Sequence, residues 1–479
     1  MGIQGEENIK KKRLIMLSNR EPYAHIRTKK GIVLKKSSGG VVSALDPLMQ
    51  ETKGLWIAWG SGSADFEVCN KENKVLVPEK PKYTLKRIKL SKGEITNYYK
   101  GFSNQVLWPL FHLFVEKINL DDAYWKSYCK VNKKFAESIL EEIQIKNDWI
   151  WIHDYHLALV PQYIKEEQPT AKIALFWHIP WPPWEVFGSL PQRSDFLEGL
   201  LHCDLIGFHT KSYVANFMDC SNKRSEIQID TRKKQVKSKT NTTRVKHFPL
   251  GISYKDYYNL AQTEGVLKES AKIKKMHKDK KLILGIDRLD YTKGILDRIK
   301  AYEYFLDQNP EFRKKVVLIQ IATPSRDNID EYCEMKKEID EAVGDINSRF
   351  GREDWTPIVY FYRKIPQQSL LAYYKAADVG LLTPIRDGMN LIAKEFTAAK
   401  EDEGVLILSE FAGASEELDG ALMVNPYDLE ETAGAIKTAV EMSIDEKTQR
   451  LHTMKNQVKK HSAQWWLSNF MNEWEKSYD

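Results

Sequence analysis

Hydrophobic residues in this chain gather into short runs separated by longer amphipathic stretches. The runs fall at residues 14–17, 149–152, 173–177, 205–208 and 245–250, then at 282–286, 316–321, 358–362, 379–382, 405–408 and 421–424. Many are rich in Val and Ile and are largely uninterrupted, rather than alternating apolar with polar. A strand buried on both faces reads this way; a half-solvated strand alternates. Between the runs, segments such as 295–306 and 370–376 carry apolar positions at helical spacing. The pattern predicts an α/β protein of parallel βαβ units. A Lys-rich stretch, 260–280, divides the runs into two groups and reads as a solvated face between two sheets. A second basic stretch, 232–239, reads as a polar loop. Residues 441–478 look helical, with Trp465, Trp466, Phe470 and Trp474 at a spacing that predicts docking onto a domain.

Length agrees with two domains, because 479 residues exceed what one core usually supports. With 72 Lys+Arg against 66 Asp+Glu, the net charge of +6 is too mild for a nucleic-acid footprint. Cys69, Cys129, Cys203, Cys220 and Cys333 form no C-x-x-C pair, which argues against a disulfide framework or zinc module and suits a reducing cytoplasm. No apolar run approaches the ~20 residues needed to span a bilayer, and 14–17 is too short for a signal-peptide core. The expectation is a cytoplasmic protein without membrane or nucleic-acid partners. Composition leaves 13 Trp and 22 Tyr unexplained.

In parallel sheets the informative residues follow the strands. After the run at 282–286 come Arg288 and Lys293, in a loop closed by Gly294; a planar fork and a compact charge can converge on one diphosphate. After 379–382 come Arg386-Asp387-Gly388-Met389-Asn390-Leu391, leading into a helix expected to begin near Met389. Amides there would favour an anion. Asp387 and, about two turns on, Glu395 offer carboxylates that suit sugar hydroxyls, although Asp387 alone also reads as an N-cap. His153-Asp154-Tyr155-His156 follows one strand and His178 the next. A metal site there lacks a convincing third ligand. Near the start, Arg20 follows the first run, Gly39-Gly40 permits close backbone approach, and Tyr99 and Trp108 offer a hydroxyl and an apolar face.

In this order, the segments SNR, SGG, YYKGFSNQVLWP, WIHDYH, HIPWP, DRLDYTKG, QIATPSR, LLTPIRDGMNLIAKE, LSEFAGASEEL and VNPYD resemble the trehalose-6-phosphate synthase family of retaining glycosyltransferases. The likeness runs from about residue 14 to about 470. It implies the GT-B fold: two Rossmann-like domains, here 1–255 for the acceptor and 256–479 for the nucleotide sugar, facing across a deep cleft, with the C-terminal helix packing back. It implies glucosyl transfer from UDP-glucose to glucose 6-phosphate, giving trehalose 6-phosphate and UDP, with no cofactor or metal beyond the nucleotide sugar. By the resemblance, Arg288, Lys293 and the amides of Met389, Asn390 and Leu391 would hold the donor diphosphate, and Glu395 the ribose. Asp387 and His178 would bind the transferred glucose, and Gly40 would lie in a loop closing over the donor. Arg20, Tyr99 and Arg326 would grip the acceptor phosphate, with Trp108 and Asp154 in the acceptor-sugar pocket.

The stretch 21–38 is long, and its REPY start is similar to glucosylglycerol-phosphate synthases, so glycerol 3-phosphate stays open as an acceptor. Residues 362–368 give no clear nucleobase readout. A non-catalytic sugar-phosphate sensor is the remaining alternative. The chain ends at Asp479 without room for a phosphatase domain, so a separate trehalose-phosphate phosphatase is expected downstream. A homo-oligomer is compatible with everything above.

Overall fold

The apolar runs become strands, and each group of them makes its own sheet. In a computed structural model, which describes residues 13–37, 39–144, 148–325 and 330–478, the chain divides into two units. One reaches Pro249 and resumes at Gln464; the other spans Leu250–Ala463.

The first unit contains β1 (Arg13–Arg20), β2 (Tyr23–Thr28), β3 (Gly31–Lys36), β4 (Leu55–Trp59), β5 (Lys74–Val77) and β6 (Tyr83–Ile88). It continues with β7 (Asp148–His153), β8 (Lys172–Phe176), β9 (Leu205–Phe208), β10 (Gln228–Asp230), β11 (Gln235–Lys237) and β12 (Thr242–His247). Strands β2 and β3 pair as a separate hairpin; the rest form one sheet in the order β10-β11-β12-β9-β8-β7-β1-β4-β6-β5. From β12 to β6 every pairing is parallel. The second unit has β13 (Lys281–Arg288), β14 (Val316–Thr323), β15 (Ile358–Tyr362), β16 (Val379–Leu382), β17 (Val405–Ser409) and β18 (Leu422–Val424). Its sheet, β15-β14-β13-β16-β17-β18, is parallel throughout.

Counting parallel strands in chain order, the second sheet reads third, second, first, fourth, fifth, sixth, which is the doubly wound Rossmann order, and the first reads the same with a seventh, β12, added beyond the sixth. Winding reverses between β1 and β7 in one unit and between β13 and β16 in the other. Among the described residues no helix is long and apolar enough to cross a membrane.

Several segments differ from the sequence expectation. Strands β4 and β6 were not anticipated. Strand β6 carries Lys86 and Arg87 in a buried setting, which breaks its apolar pattern. Lys86 meets Glu141 and Glu142 at 2.7 and 2.9 Å, while Arg87 meets Glu21 and Asp65 at 2.8 and 3.0 Å. Burial is tolerated because each cation is paired. The expected loop 232–239 contains β11, the middle of an antiparallel edge. The stretch 260–280 holds the helix Glu264–Met276, with its lysines largely exposed.

The C-terminal region holds three helices, Leu429–Glu441, Ile444–Lys460 and Ala463–Glu475, the last two covering most of the stretch 441–478 expected to be helical. Ser443 starts the second by accepting from the Glu446 amide. The last helix packs on β7 and β8. Phe470 stacks on Trp151 at 4.5 Å and 6°, Trp474 lies 4.6 Å from Trp149, and Trp466 meets Phe176 edge-on at 5.0 Å. Gly207 is required here, since a Cβ would come within 2.7 Å of the Phe470 ring. Trp474 is fully buried. Trp474→Ala should therefore destabilise the first unit by about 3–5 kcal/mol, read as a lower urea midpoint of the transition that exposes its tryptophans.

Candidate active site

Strand β13 ends on Arg288, whose side chain is exposed. Asp290 then accepts from the amide and hydroxyl of Thr292, at 3.1 and 2.9 Å, and winds a tight turn. Gly294, at φ 58°, hands the chain to the helix Ile295–Gln308; a Cβ there would also press on the Thr383 carbonyl at 2.7 Å. This geometry buries Lys293 and brings its Nζ to 2.7 Å from Asp387, in the loop after β16. The loops that follow the two strands flanking the switch point are thus joined by this ion pair.

Asp387 also accepts from Asn390 Nδ2 at 3.1 Å and from the Met389 amide at 3.3 Å. The helix begins at Leu391, not near Met389, because Asn390 is its cap: at φ 72° its Oδ1 accepts from the Ala393 amide at 3.0 Å. The N-cap reading left open for Asp387 belongs to Asn390 instead. Of the amides expected to be free, that of Met389 is engaged by Asp387. Leu391 heads the helix, where first-turn N–H groups have no carbonyl partner within it. Glu395 lies one turn further on, its two oxygens accepting from Tyr257 at 2.9 Å and Tyr374 at 3.0 Å. Burial pushes the Glu395 carboxyl up, and the two phenols oppose that shift.

Beneath this cluster Arg298 is buried against Asp287 at 2.7 Å, and it donates to Thr383 and to the Lys293 carbonyl. It ties β13, β16 and the Lys293 turn together. Sequence reading missed Arg298, Tyr257 and Tyr374. An arginine on the apolar face of 295–306 was the available signal for the first.

The first unit gathers its residues at its own switch point. Arg20 ends β1, with its guanidinium carbon 4.7 Å from the ring centres of both Trp59 and Tyr99. Trp59 ends β4 and was also missed, although it closes an apolar segment, LWIAW. Tyr99 sits on a π-helix, Ile95–Leu107, and stacks near-parallel on His156 at 6.0 Å. Such wide helical turns are frequent at functional sites.

Asp154 follows β7 at φ 73°, a left-handed conformation that is uncommon for residues other than glycine. Its carboxylate accepts from the His178 amide at 3.4 Å, and burial pushes it up to about 7. Trp108 packs on His112 and Tyr155, at 4.1 and 6.1 Å. His178 and His153 are in direct contact, Nε2 to Nδ1, at 3.0 Å. Gly40 opens the helix Gly40–Thr52, whose cap residue, Gly39, supplies no side-chain bond. Arg326 lies outside the described residues. Among the described residues, no three His, Cys, Asp or Glu side chains group as a metal site would require.

Comparison with known proteins agrees with this geometry. Glycosyltransferase family 20 matches residues 12–476. A bifunctional trehalose-6-phosphate synthase/phosphatase of Thermoproteus tenax is 40% identical over 96% of this chain, which spans 63% of that relative's length. An E. coli trehalose-6-phosphate protein bound with UDP-2-fluoro glucose superposes with a TM-score of 0.87 at 33% identity, covering 96% of this chain and 98% of the other. A UDP-forming α,α-trehalose-phosphate synthase from Burkholderia xenovorans, in complex with glucose-6-phosphate, gives 0.87 at 32% identity over 97% and 100%. With the family matched across nearly its whole length, and both Rossmann-like sheets in place, the chain belongs to glycosyltransferase family 20.

Proposed function

We propose that this chain transfers glucose from UDP-glucose to glucose 6-phosphate, with retention of the anomeric configuration, yielding α,α-trehalose 6-phosphate and UDP. The observation that carries this reading is the Lys293–Asp387 pair, set between an exposed arginine and a helix N-terminus at the switch point of the second unit. The ligands carried by the two solved relatives, a UDP-sugar analogue and glucose-6-phosphate, fit the same chemistry.

In this reading Arg288 and Lys293 hold the donor diphosphate, assisted by amides around Met389–Leu391. Glu395, held from both oxygens by tyrosines, takes the ribose hydroxyls. Asp387 and His178 contact the transferred glucose, and Gly40 lies in the segment that closes over the donor. Arg20, Tyr99 and Arg326 receive the acceptor phosphate, with Trp108 and Asp154 beside its sugar. An ammonium carries three donors, so Lys293 can keep Asp387 while bonding diphosphate oxygens.

As the bond from the anomeric carbon to the phosphate oxygen breaks, charge accumulates on the diphosphate, and the two cations stabilise it most at that stage. The acceptor oxygen bonds to the same carbon on the same face. Its proton passes to the departing phosphate oxygen. Protein cations neutralise the leaving group, so a divalent metal is not needed.

Three outcomes test this reading. Across a panel of nucleotide sugars and phosphorylated acceptors, UDP release should be fastest with UDP-glucose and glucose 6-phosphate and unchanged by EDTA; faster release with glycerol 3-phosphate would sink it. Arg288→Ala and Lys293→Ala should each lower kcat by about 10²–10³-fold while circular dichroism stays native. Ionised Asp154 is an acceptor only, and protonation replaces part of that capacity with a donor, so the KM for glucose 6-phosphate should rise as pH falls through about 7. Asp154→Asn should hold that KM high throughout, leaving only the substrate phosphate's own titration near ~6.

A further inference from the structure

His153 ends β7 and His178 follows β8, its neighbour in the sheet. Their rings lie 5.3 Å apart at 29°, with His153 Nδ1 at 3.0 Å from His178 Nε2. Burial, reinforced by the neighbouring imidazoles, holds both rings well below the usual histidine range, so both are neutral near pH 7. A neutral imidazole has one N–H and one bare lone pair. A single proton therefore occupies the contact, carried by one ring or the other.

The far side of His153 separates the two cases. Its Nε2 is buried and meets no hydrogen-bonding partner among the described residues. If His178 were the donor, His153 would keep its own proton on that Nε2, as a buried N–H without an acceptor. If His153 is the donor, Nε2 carries only a lone pair, in a ring whose centre lies 4.8 Å from that of Trp151. Among buried backbone groups an orphaned N–H is rarer than an under-satisfied acceptor, and the same asymmetry applied to the imidazole favours the second case.

We propose that His153 is a positioning residue: it donates from Nδ1 to His178 Nε2 and fixes His178 as the Nδ1–H tautomer. The acceptor nitrogen of His178 is consumed by this bond, and the group it has left is a donor. Resting on the function proposed above, in which His178 touches the transferred glucose, His178 can only donate to a sugar oxygen. It does not take the proton of the incoming hydroxyl.

Nitrogen NMR of the intact chain labelled in its histidine rings, recorded without substrates, tests this directly. His178 should show a protonated Nδ1 and a bare Nε2, and His153 a protonated Nδ1. His153→Phe removes the donor, so it should spread His178 over both tautomers and lower kcat by about 10–100-fold, with both KM values within about twofold. His153→Asn, whose amide still donates, should restore the tautomer and most of the rate. A proton on His178 Nε2 in the wild type overturns the proposal, as does a His153→Phe variant with an unaltered His178 tautomer. The wild-type spectrum decides even where a variant fails to fold. A correct tautomer in a protein that transfers no glucose supports the positioning role and refutes the proposed reaction instead.

Discussion

A parallel sheet delivers the C-terminal end of every strand to one edge, and that constraint places the candidate chemistry in both units. Crossovers between parallel strands are right-handed, so a sheet that winds first one way and then the other must part its loops where the direction changes. The first unit parts them between β1 and β7, which is where Arg20 and Asp154 emerge. The second parts them between β13 and β16, where Arg288, Lys293 and Asp387 emerge. Residues more than ninety positions apart become neighbours because the topology leaves them nowhere else to go.

Holding cations at such an edge has an electrostatic cost, and the two units offset it differently. In the second, Lys293 is buried but paired with Asp387, while Arg298 below is satisfied by Asp287, Thr383 and a carbonyl. Removing one partner of a pair as buried as Arg298–Asp287 costs about 3–5 kcal/mol, because the other charge is left stranded. In the first unit Arg20 stays exposed and is oriented by two aromatic faces rather than by a carboxylate. An arginine clamped this way keeps its charge available, since the rings attract the guanidinium without neutralising it. That suits the acceptor-phosphate role proposed for it.

Legibility in the sequence followed the same physics. The central strands could be read because burial on both faces removes polar positions, as in 149–152 and 405–408. Strand β6 could not, because its lysine and arginine are buried with partners from distant segments, and a local pattern cannot see those. The hairpin of β2 and β3 is largely solvated and has no apolar run to announce it. Candidate residues at strand ends were legible for a topological reason, and the motifs around them added the family likeness. Trp59, Tyr257, Tyr374 and Arg298 were not, since each acts through a contact between elements remote in sequence. The start of the helix at Leu391 was misjudged by two residues because a left-handed asparagine delays it.

What remains is where the acceptor proton goes in the proposed reaction. A base must offer an uncommitted lone pair. Asp387 already accepts from an ammonium, an amide side chain and a backbone N–H. The same bonds weaken it as a nucleophile towards the anomeric carbon. Under the tautomer argued above, His178 has its acceptor nitrogen filled by His153. In the proposed reaction Asp154 faces the acceptor sugar's hydroxyls, and Glu395, held by two phenols, faces the ribose. The leaving diphosphate, by contrast, gains negative charge as its bond to the sugar lengthens, and it lies on the face from which the acceptor approaches. Its oxygen becomes basic at the moment a base is needed, which makes the departing group the best-placed proton acceptor in the proposed reaction.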